Sequence, residues 1–298
     1  MRADIVSSTD ILVLGGNGLA GSSIVADLRG KDRSVRFGSR HGSDIRLDAS
    51  EYGQLKKVIE NLEPNIVINC IGEIDFENCE TNYHDSWKKN VKVVANLSSL
   101  SQVYGFKVVQ ISTDHFFVGD SKERHTERSP VTLVNAYAKQ KYCAEVAVSL
   151  LDTSLTVRTA FTGCSHSNSI KQTFWSWVKN ALRKEMPVTL FSDAFTSMLD
   201  KRFFSKCLID LIDANATGIY NLASADVFSK EEFFGEAANQ LGFPTTFAVS
   251  GSIGELKIAR ANNLGLCTKK IETLLGYRMP QLSEVVANLI ADEDKNDV

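Results

Sequence analysis

Residues 10–21 read DILVLGGNGLAG, a short apolar run that breaks into glycines. The run has the length and bounds of a buried strand, and SSIVADLRG (22–30) behind the glycines carries helical periodicity as far as Gly30. Gly16, Gly18 and Gly21 stand in Gly-x-Gly-x-x-Gly spacing, with Gly15 in front of them. Alone the spacing is weak. Between a strand and a helix it signals dinucleotide binding, because glycine permits a tight turn and lets the backbone approach a pyrophosphate. The helix N-terminus then presents free N–H groups to the phosphates.

Outward from this point the chain keeps alternating. SVRFGS (34–39) reads as a strand, and EYGQLKKVIENL (51–62) as a helix with Ser50 as its expected cap and Pro64 beyond its end. NIVINCIG (65–72) is a strand, WKKNVKVVANLSSLSQVYG (87–105) a long helix, KVVQIST (107–113) a strand. A helix follows from Tyr137 to about Leu150, then the strand SLTVRTA (154–160). The pattern predicts an α/β fold, a doubly wound parallel sheet of Rossmann type, over residues 1–160.

Beyond residue 160 the rhythm loosens. QTFWSWVKNALRKE (172–185) and KEEFFGEAANQLG (230–242) read as helices and GIYNLAS (218–224) as a strand. Residues 161–298 are expected to form a smaller, mainly substrate-binding region, with about 200–224 packing back on the Rossmann sheet. Segments 161–200 and 225–298 are expected to cap the C-terminal edge of that sheet.

Composition narrows the function. Of 298 residues, 43% are hydrophobic and 23% charged, and the net charge is −3 without a basic run, so neither nucleic acid nor a membrane surface is an expected partner. No stretch approaches the ~18 apolar residues of a membrane span, and the N-terminal apolar run is too short for a signal peptide. Six cysteines without a C-x-x-C pair and five histidines without ligand spacing point to free thiols, no metal and a cytoplasmic location. The sequence leaves room for a homodimer.

An NAD-binding fold places an acidic residue after its second strand to hold the ribose 2′-hydroxyl. Here Gly38-Ser39-Arg40 occupies that place, which suits the 2′-phosphate of NADP(H). Arg40 as a solvated loop charge is the plain alternative. Asp48, slightly farther on, is expected to meet the adenine or cap the next helix. The cofactor-binding candidates are Gly15, Gly16, Asn17, Gly18, Leu19 and Gly21 of the loop, then Ser39, Arg40 and Asp48, then Cys70, Ile71 and Gly72 at a strand end.

The helix beginning NAYAKQKYCAE (135–145) sets Tyr137 four residues before Lys141, so both share one face while Lys139 points elsewhere. A nearby ammonium stabilises a phenolate, making tyrosine a usable acid near neutral pH; the lysine can also bond a nicotinamide ribose. Ser112 and Thr113 close a predicted strand, where doubly wound sheets bind ligands. Taken alone the pair is more often a surface accident; with the glycine loop upstream it reads as catalytic.

Together these motifs resemble the extended short-chain dehydrogenase/reductase superfamily, and within it the dTDP-4-dehydrorhamnose reductase family. GGNGLAG resembles the family's glycine loop, VINCIGEIDFENCE (67–80) the segment after its fourth strand, and ISTDHFFVGD (111–120) its Ser-Thr-Asp-Tyr-Val-Phe-x-Gly block. TERSPVTLVNAYAKQKYCAE (126–145), TVRTAF (156–161) and GIYNLASADVFSKEEF (218–233) fit the later blocks. The resemblance implies Thr113 as the hydroxyl that holds a carbonyl, Tyr137 as the acid and Lys141 as its partner, with Asp114, His115 and Arg260 toward substrate. It implies an NADPH-dependent reductase of a keto group on a nucleotide-linked deoxysugar. His115 replaces the family's tyrosine. Asp193 to Leu199 lacks the Gln, Gly and Pro of Asp-Gln-x-Gly-x-Pro-Thr, and Arg260-Ala261 stands for Arg-Pro. Two other readings stay open. One is an epimerase or dehydratase retaining NAD, against which Asp114-His115 in place of Asp-Glu speaks. The other is a non-catalytic NADP-binding regulatory subunit, like that of methionine adenosyltransferase.

Overall fold

The computed structural model of the chain describes residues 10–120, 122–164 and 172–294. In order, its first elements are β1 (Ile11–Leu14), α1 (Leu19–Gly30), β2 (Val35–Ser39), β3 (Ile45–Arg46), α2 (Tyr52–Leu62), β4 (Ile66–Asn69), α3 (Phe76–Thr81), α4 (Tyr83–Trp87), α5 (Val93–Tyr104), β5 (Lys107–Ile111), α6 (Ala136–Ser149) and β6 (Leu155–Thr159). There follow β7 (Phe161–Thr162), α7 (Phe174–Arg183), β8 (Val188–Phe191), β9 (Phe195–Thr196), β10 (Leu199–Asp200), α8 (Lys201–Asp213), β11 (Gly218–Leu222), β12 (Phe228–Ser229), α9 (Lys230–Leu241), β13 (Ala248–Gly251), β14 (Asn263–Leu264), α10 (Lys269–Leu275) and α11 (Leu282–Asp294).

Seven strands form the main sheet in the order β11-β6-β5-β4-β1-β2-β3. β1 pairs in parallel with β2 and β4, β2 with β3, and β4 with β5. The chain moves outward from β1 on one side and outward from β4 on the other. The strand order therefore reverses between β1 and β4, the place where open α/β sheets bind ligands beyond their strand ends. All four residues of β1 are fully buried, as expected of a strand covered on both faces.

The chain divides into two compact units. One takes in residues up to 111, 140–156 and 216–218; the other takes in 112–139, 157–215 and 219 onward. In the first, Leu12, Leu14, Val67 and Val108 of the strands meet Leu55 and Ile59 of α2, Val94 and Leu97 of α5, and Ala144 and Val148 of α6. Each fully buried Leu, Ile or Val there contributes roughly 1.5–3 kcal/mol. In the second, Phe174, Trp175 and Phe228 gather around Phe233, with ring centroids 5.2, 6.3 and 5.9 Å away. Its small sheet β12-β9-β14 pairs Phe228 with Thr196 and Asn263 with Phe195. A capping box fixes the start of α9: Ser229 accepts the Glu232 N–H, and Glu232 accepts the Ser229 N–H. The units do not follow a boundary at residue 160, because segment 112–139 sits in the second.

Three sequence expectations change. Ser50 does not cap α2, whose N-cap is Glu51; the Ser50 N–H and hydroxyl both donate to Asp48 Oδ1, at 2.9 and 2.7 Å. Asp48 is likewise not the cap. The helix expected over 87–105 is α4, a π-turn at Lys88–Lys92 and α5 in succession. β3 adds a short edge strand that two residues are too few to announce.

Candidate active site

In the first unit the glycine loop closes tightly on the end of β4. Gly15 has φ +80°, where L side chains are strained, and a Cβ there would lie 3.1 Å from the backbone of Cys70 and Ile71. The motif's own Gly21 packs against the Gly15 carbonyl, where no side chain fits. Gly18 opens α1 without a capping side chain. The first-turn N–H groups are thus left for an anion, and the helix dipole favours one there. This fits a dinucleotide pyrophosphate, and the backbone of Cys70 and Ile71 lies against the loop. Gly72 lies beside Asn90, whose Oδ1 would be 3.4 Å from an added Cβ.

The end of β2 is held by the same loop. Asn17 Nδ2 donates to Ser39 Oγ at 3.0 Å and to the His41 carbonyl. Asp44 is engaged elsewhere, accepting from Arg29 at 2.8 Å and from the Phe37 N–H at 3.2 Å, so its carboxylate is spent on structure. Burial works to raise the Asp48 carboxyl, but the Ser50 hydrogen bonds and the Arg40 and Lys92 charges outweigh it and hold Asp48 below the usual range. Arg40 itself is exposed, which leaves its guanidinium accessible to a phosphate.

α6 carries Tyr137 and Lys141 one turn apart, both buried, with Lys139 exposed. Lys141 Nζ donates to the Ile111 carbonyl at 2.7 Å. Burial lowers its pKa to about 8, against the opposing charge of Glu145. Burial likewise pushes the Cys70 thiol up to about 12. Next to Lys141, Gln140 is locked into a buried network that sequence reasoning does not reveal. Asn90, turned inward by the π-turn, donates to Gln140 Oε1 at 2.8 Å and accepts the Glu73 N–H at 2.7 Å. Gln140 Nε2 donates to Ser86 Oγ at 2.9 Å, and Lys89 pairs with Glu73 at 2.8 Å.

The second unit brings Thr113, Asp114, His115 and Tyr137 together. Thr113 Oγ1 accepts the His115 N–H at 3.2 Å and donates to Asp114 Oδ1 at 3.5 Å. The His115 ring stands edge-on to Tyr137, centroids 5.9 Å apart. Burial pushes the Asp114 carboxyl up to about 7, opposed by the Lys230 charge and the Thr196 and Thr113 hydroxyls. Burial, with the charges of Lys230 and Arg260, drives His115 down to about 3, so it is a neutral imidazole. Two of these neighbours, Thr196 and Lys230, escape the sequence reading. Thr196 lies in the segment that departs from the family pattern, and Lys230 has no signal beyond following a capping serine.

The family described as RmlD substrate binding domain matches residues 9–295. The chain belongs to that family. It is 24% identical over 290 residues to the "Probable low-salt glycan biosynthesis reductase Agl14" of Haloferax volcanii, covering 94% of this chain and 96% of the relative. It is 20% identical over 284 residues to the dTDP-4-dehydrorhamnose reductase of Escherichia coli K12, covering 91% and 93%. Its fold superimposes on the dTDP-4-dehydrorhamnose reductase of Bacillus anthracis in complex with NADP with a TM-score of 0.85 and 21% identity, over 96% of this chain and 100% of that one. That likeness establishes the fold. Among the described residues no cluster of His, Cys, Asp and Glu is built to hold a metal, and no helix is long and apolar enough to cross a membrane.

Proposed function

We propose that this RmlD-family chain is an NADPH-dependent oxidoreductase that reduces a keto group on a nucleotide-linked deoxysugar. The carrying observation is α6, which presents Tyr137 and a buried Lys141 from one helix, the lysine fixed on the Ile111 carbonyl. The relatives support the substrate class: one is named a dTDP-4-dehydrorhamnose reductase and another was crystallised with NADP. Residues 1–160 would bind the dinucleotide and 161–298 mainly the sugar nucleotide. The presence of β11 in the main sheet supports the return of about 200–224 to it. With six free cysteines and no disulfide among the described residues, a cytoplasmic enzyme is the consistent reading.

When bound, the nicotinamide supplies the hydride. The glycine loop and the α1 N-terminus would hold the pyrophosphate, and Ser39 with Arg40 the 2′-phosphate. Thr113 donates a hydrogen bond to the substrate carbonyl and fixes its orientation. Tyr137 would deliver the proton to that oxygen. The Lys141 ammonium stabilises the phenolate left behind and bonds the ribose of the cofactor. Asp114 and His115 face the sugar, and Arg260 takes the diphosphate. The His115 imidazole, neutral near pH 7, serves as a hydrogen-bond partner and not as a cation.

The test is NADPH consumption against a panel of nucleotide-linked keto-sugars, with the products weighed by mass spectrometry. The expected result is substrate-dependent oxidation of NADPH and a product two hydrogens heavier. Sugar turnover with no net loss of added NADPH would favour the cofactor-retaining epimerase or dehydratase. NADPH binding with no turnover across the panel would favour the regulatory subunit.

A further inference from the structure

Nothing in the sequence singles out Lys230, yet the structure sets its ammonium in a costly place. It opens α9, at the positive end of the helix dipole, and it is partly buried. Arg260 adds like charge nearby. Its Nζ lies 4.3 Å from the Phe174 ring centroid, and no described carboxylate comes within 4.0 Å of it. The charge that works in its favour is Asp114.

The small sheet explains the encounter. β9 carries Thr196, whose hydroxyl donates to Asp114 Oδ2 at 3.3 Å. Its neighbour β12 runs directly into Lys230, whose N–H donates to the Ala194 carbonyl at 3.2 Å. Its other neighbour, β14, begins three residues after Arg260. Thr113 and His115 from its own segment and Thr196 from β9 contact Asp114, Lys230 at the start of α9 acts on it through charge, and Arg260 acts on Lys230 and His115.

Thr113 has one hydroxyl proton and two claimants for it. A ketone needs a donor, whereas the alcohol made from it is itself a donor and needs an acceptor. Ionised Asp114 draws the Thr113 proton to itself, leaving Thr113 Oγ1 to accept. Protonated Asp114 donates to Thr113 Oγ1 and releases the Thr113 proton toward a ketone. We propose that Lys230 is a positioning residue for Thr113: by fixing the charge on Asp114 it sets the direction in which the Thr113 hydroxyl donates. The proposal rests on the reading of Thr113 as the carbonyl-holding group. Burial raises the Asp114 carboxyl against the Lys230 charge and lowers the Lys230 ammonium against the Asp114 charge, so the charge on each depends on the other. His115, driven to about 3, stays out of the exchange.

The sign follows. Reduction needs Thr113 to donate, so it is fastest with Asp114 protonated and falls as pH rises through the Asp114 midpoint. Removing the Lys230 charge raises that midpoint, so the fall moves to higher pH.

Two measurements test this. Carboxyl NMR of protein labelled with ¹³C-aspartate, assigned with Asp114→Asn, reads the midpoint without any turnover. Lys230→Met should raise it by about one pH unit or more, while Lys230→Arg stays near wild type. Lys230→Gln makes the same measurement should the methionine variant not fold. An unmoved midpoint in a folded, uncharged variant overturns the proposal. The second measurement is kcat for ketone reduction against pH. The limb set by Asp114 should move with the midpoint in Lys230→Met and vanish in Thr113→Val, which keeps only the loss set by Lys141 above about pH 8. A midpoint that moves while the limb stays overturns the link to Thr113. Because the NMR arm needs no reaction, failure to reduce any keto-sugar counts against the proposed function alone.

Discussion

The glycine cradle and the surroundings of Asp114 are both places where polar groups are held for a ligand, but they are assembled in opposite ways. The cradle comes from one continuous stretch closed against the end of the adjacent strand β4; its polar groups are main-chain N–H, and Gly15 makes room by backbone conformation alone. The Asp114 neighbourhood takes one residue each from β9, the start of α9 and the approach to β14, and its groups are side chains whose charges depend on one another. A local motif is visible in sequence because its spacing is the structure. A site gathered by strand pairing leaves no spacing to read.

The largest expected effect lies on α6. Tyr137→Phe keeps the ring and its contact with His115 but removes the transferable proton. kcat should drop ~10²–10⁴-fold, the usual contribution of general acid catalysis, with NADPH affinity near wild type. Steady-state kinetics alongside cofactor titration checks this, and wild-type turnover in the variant breaks the catalytic reading of α6.

Next is the cofactor phosphate. If Arg40 holds the 2′-phosphate, Arg40→Ala should remove a charge-assisted contact worth roughly 1.5–3 kcal/mol, lowering NADPH affinity about 10- to 100-fold while NADH affinity holds. Calorimetric titration of both cofactors decides it. Equal loss for the two would return Arg40 to the status of a loop charge.

Gly15→Ala tests whether the cradle is backbone geometry. Placing an alanine at positive φ costs about 1–2 kcal/mol, and its methyl would press on Cys70 and Ile71. NADPH and NADH affinity should fall together, about tenfold or somewhat more, because the pyrophosphate is common to both. Unchanged affinity would mean the loop accepts a side chain that the geometry excludes.

The smallest effect is expected at Arg260. Arg260→Ala should weaken nucleoside diphosphate binding several-fold and leave NADPH alone, since the residue is exposed and its gain is screened. Unchanged nucleoside diphosphate affinity would remove it from the site.

Much of the fold was legible for physical reasons. β1, most of β4 and the middle of β5 are apolar because parallel strands are covered on both faces, and α1 and α5 stop at or beside Gly30 and Gly105, as glycines often make helices do. The π-turn at Lys88–Lys92 was hidden because one extra residue in a turn barely disturbs helical periodicity over 87–105. Ser50 looked like a cap because it precedes a helix, but the cap position falls on Glu51 and the Ser50 hydroxyl donates to Asp48. Thr113, Tyr137 and Lys141 were legible as motif residues. Asn90, Thr196 and Lys230 were not, since each acquires its role only from a partner distant in the chain.

The central claim is that external NADPH delivers its hydride to the sugar. It is tested most directly with NADPH carrying deuterium on the transferred face of the nicotinamide and a nucleotide-linked keto-sugar that the enzyme consumes. The account predicts one deuterium on the newly reduced sugar carbon for each NADPH oxidised, read by NMR and mass spectrometry of the product. A product that forms without deuterium, while the labelled NADPH remains unspent, would contradict it.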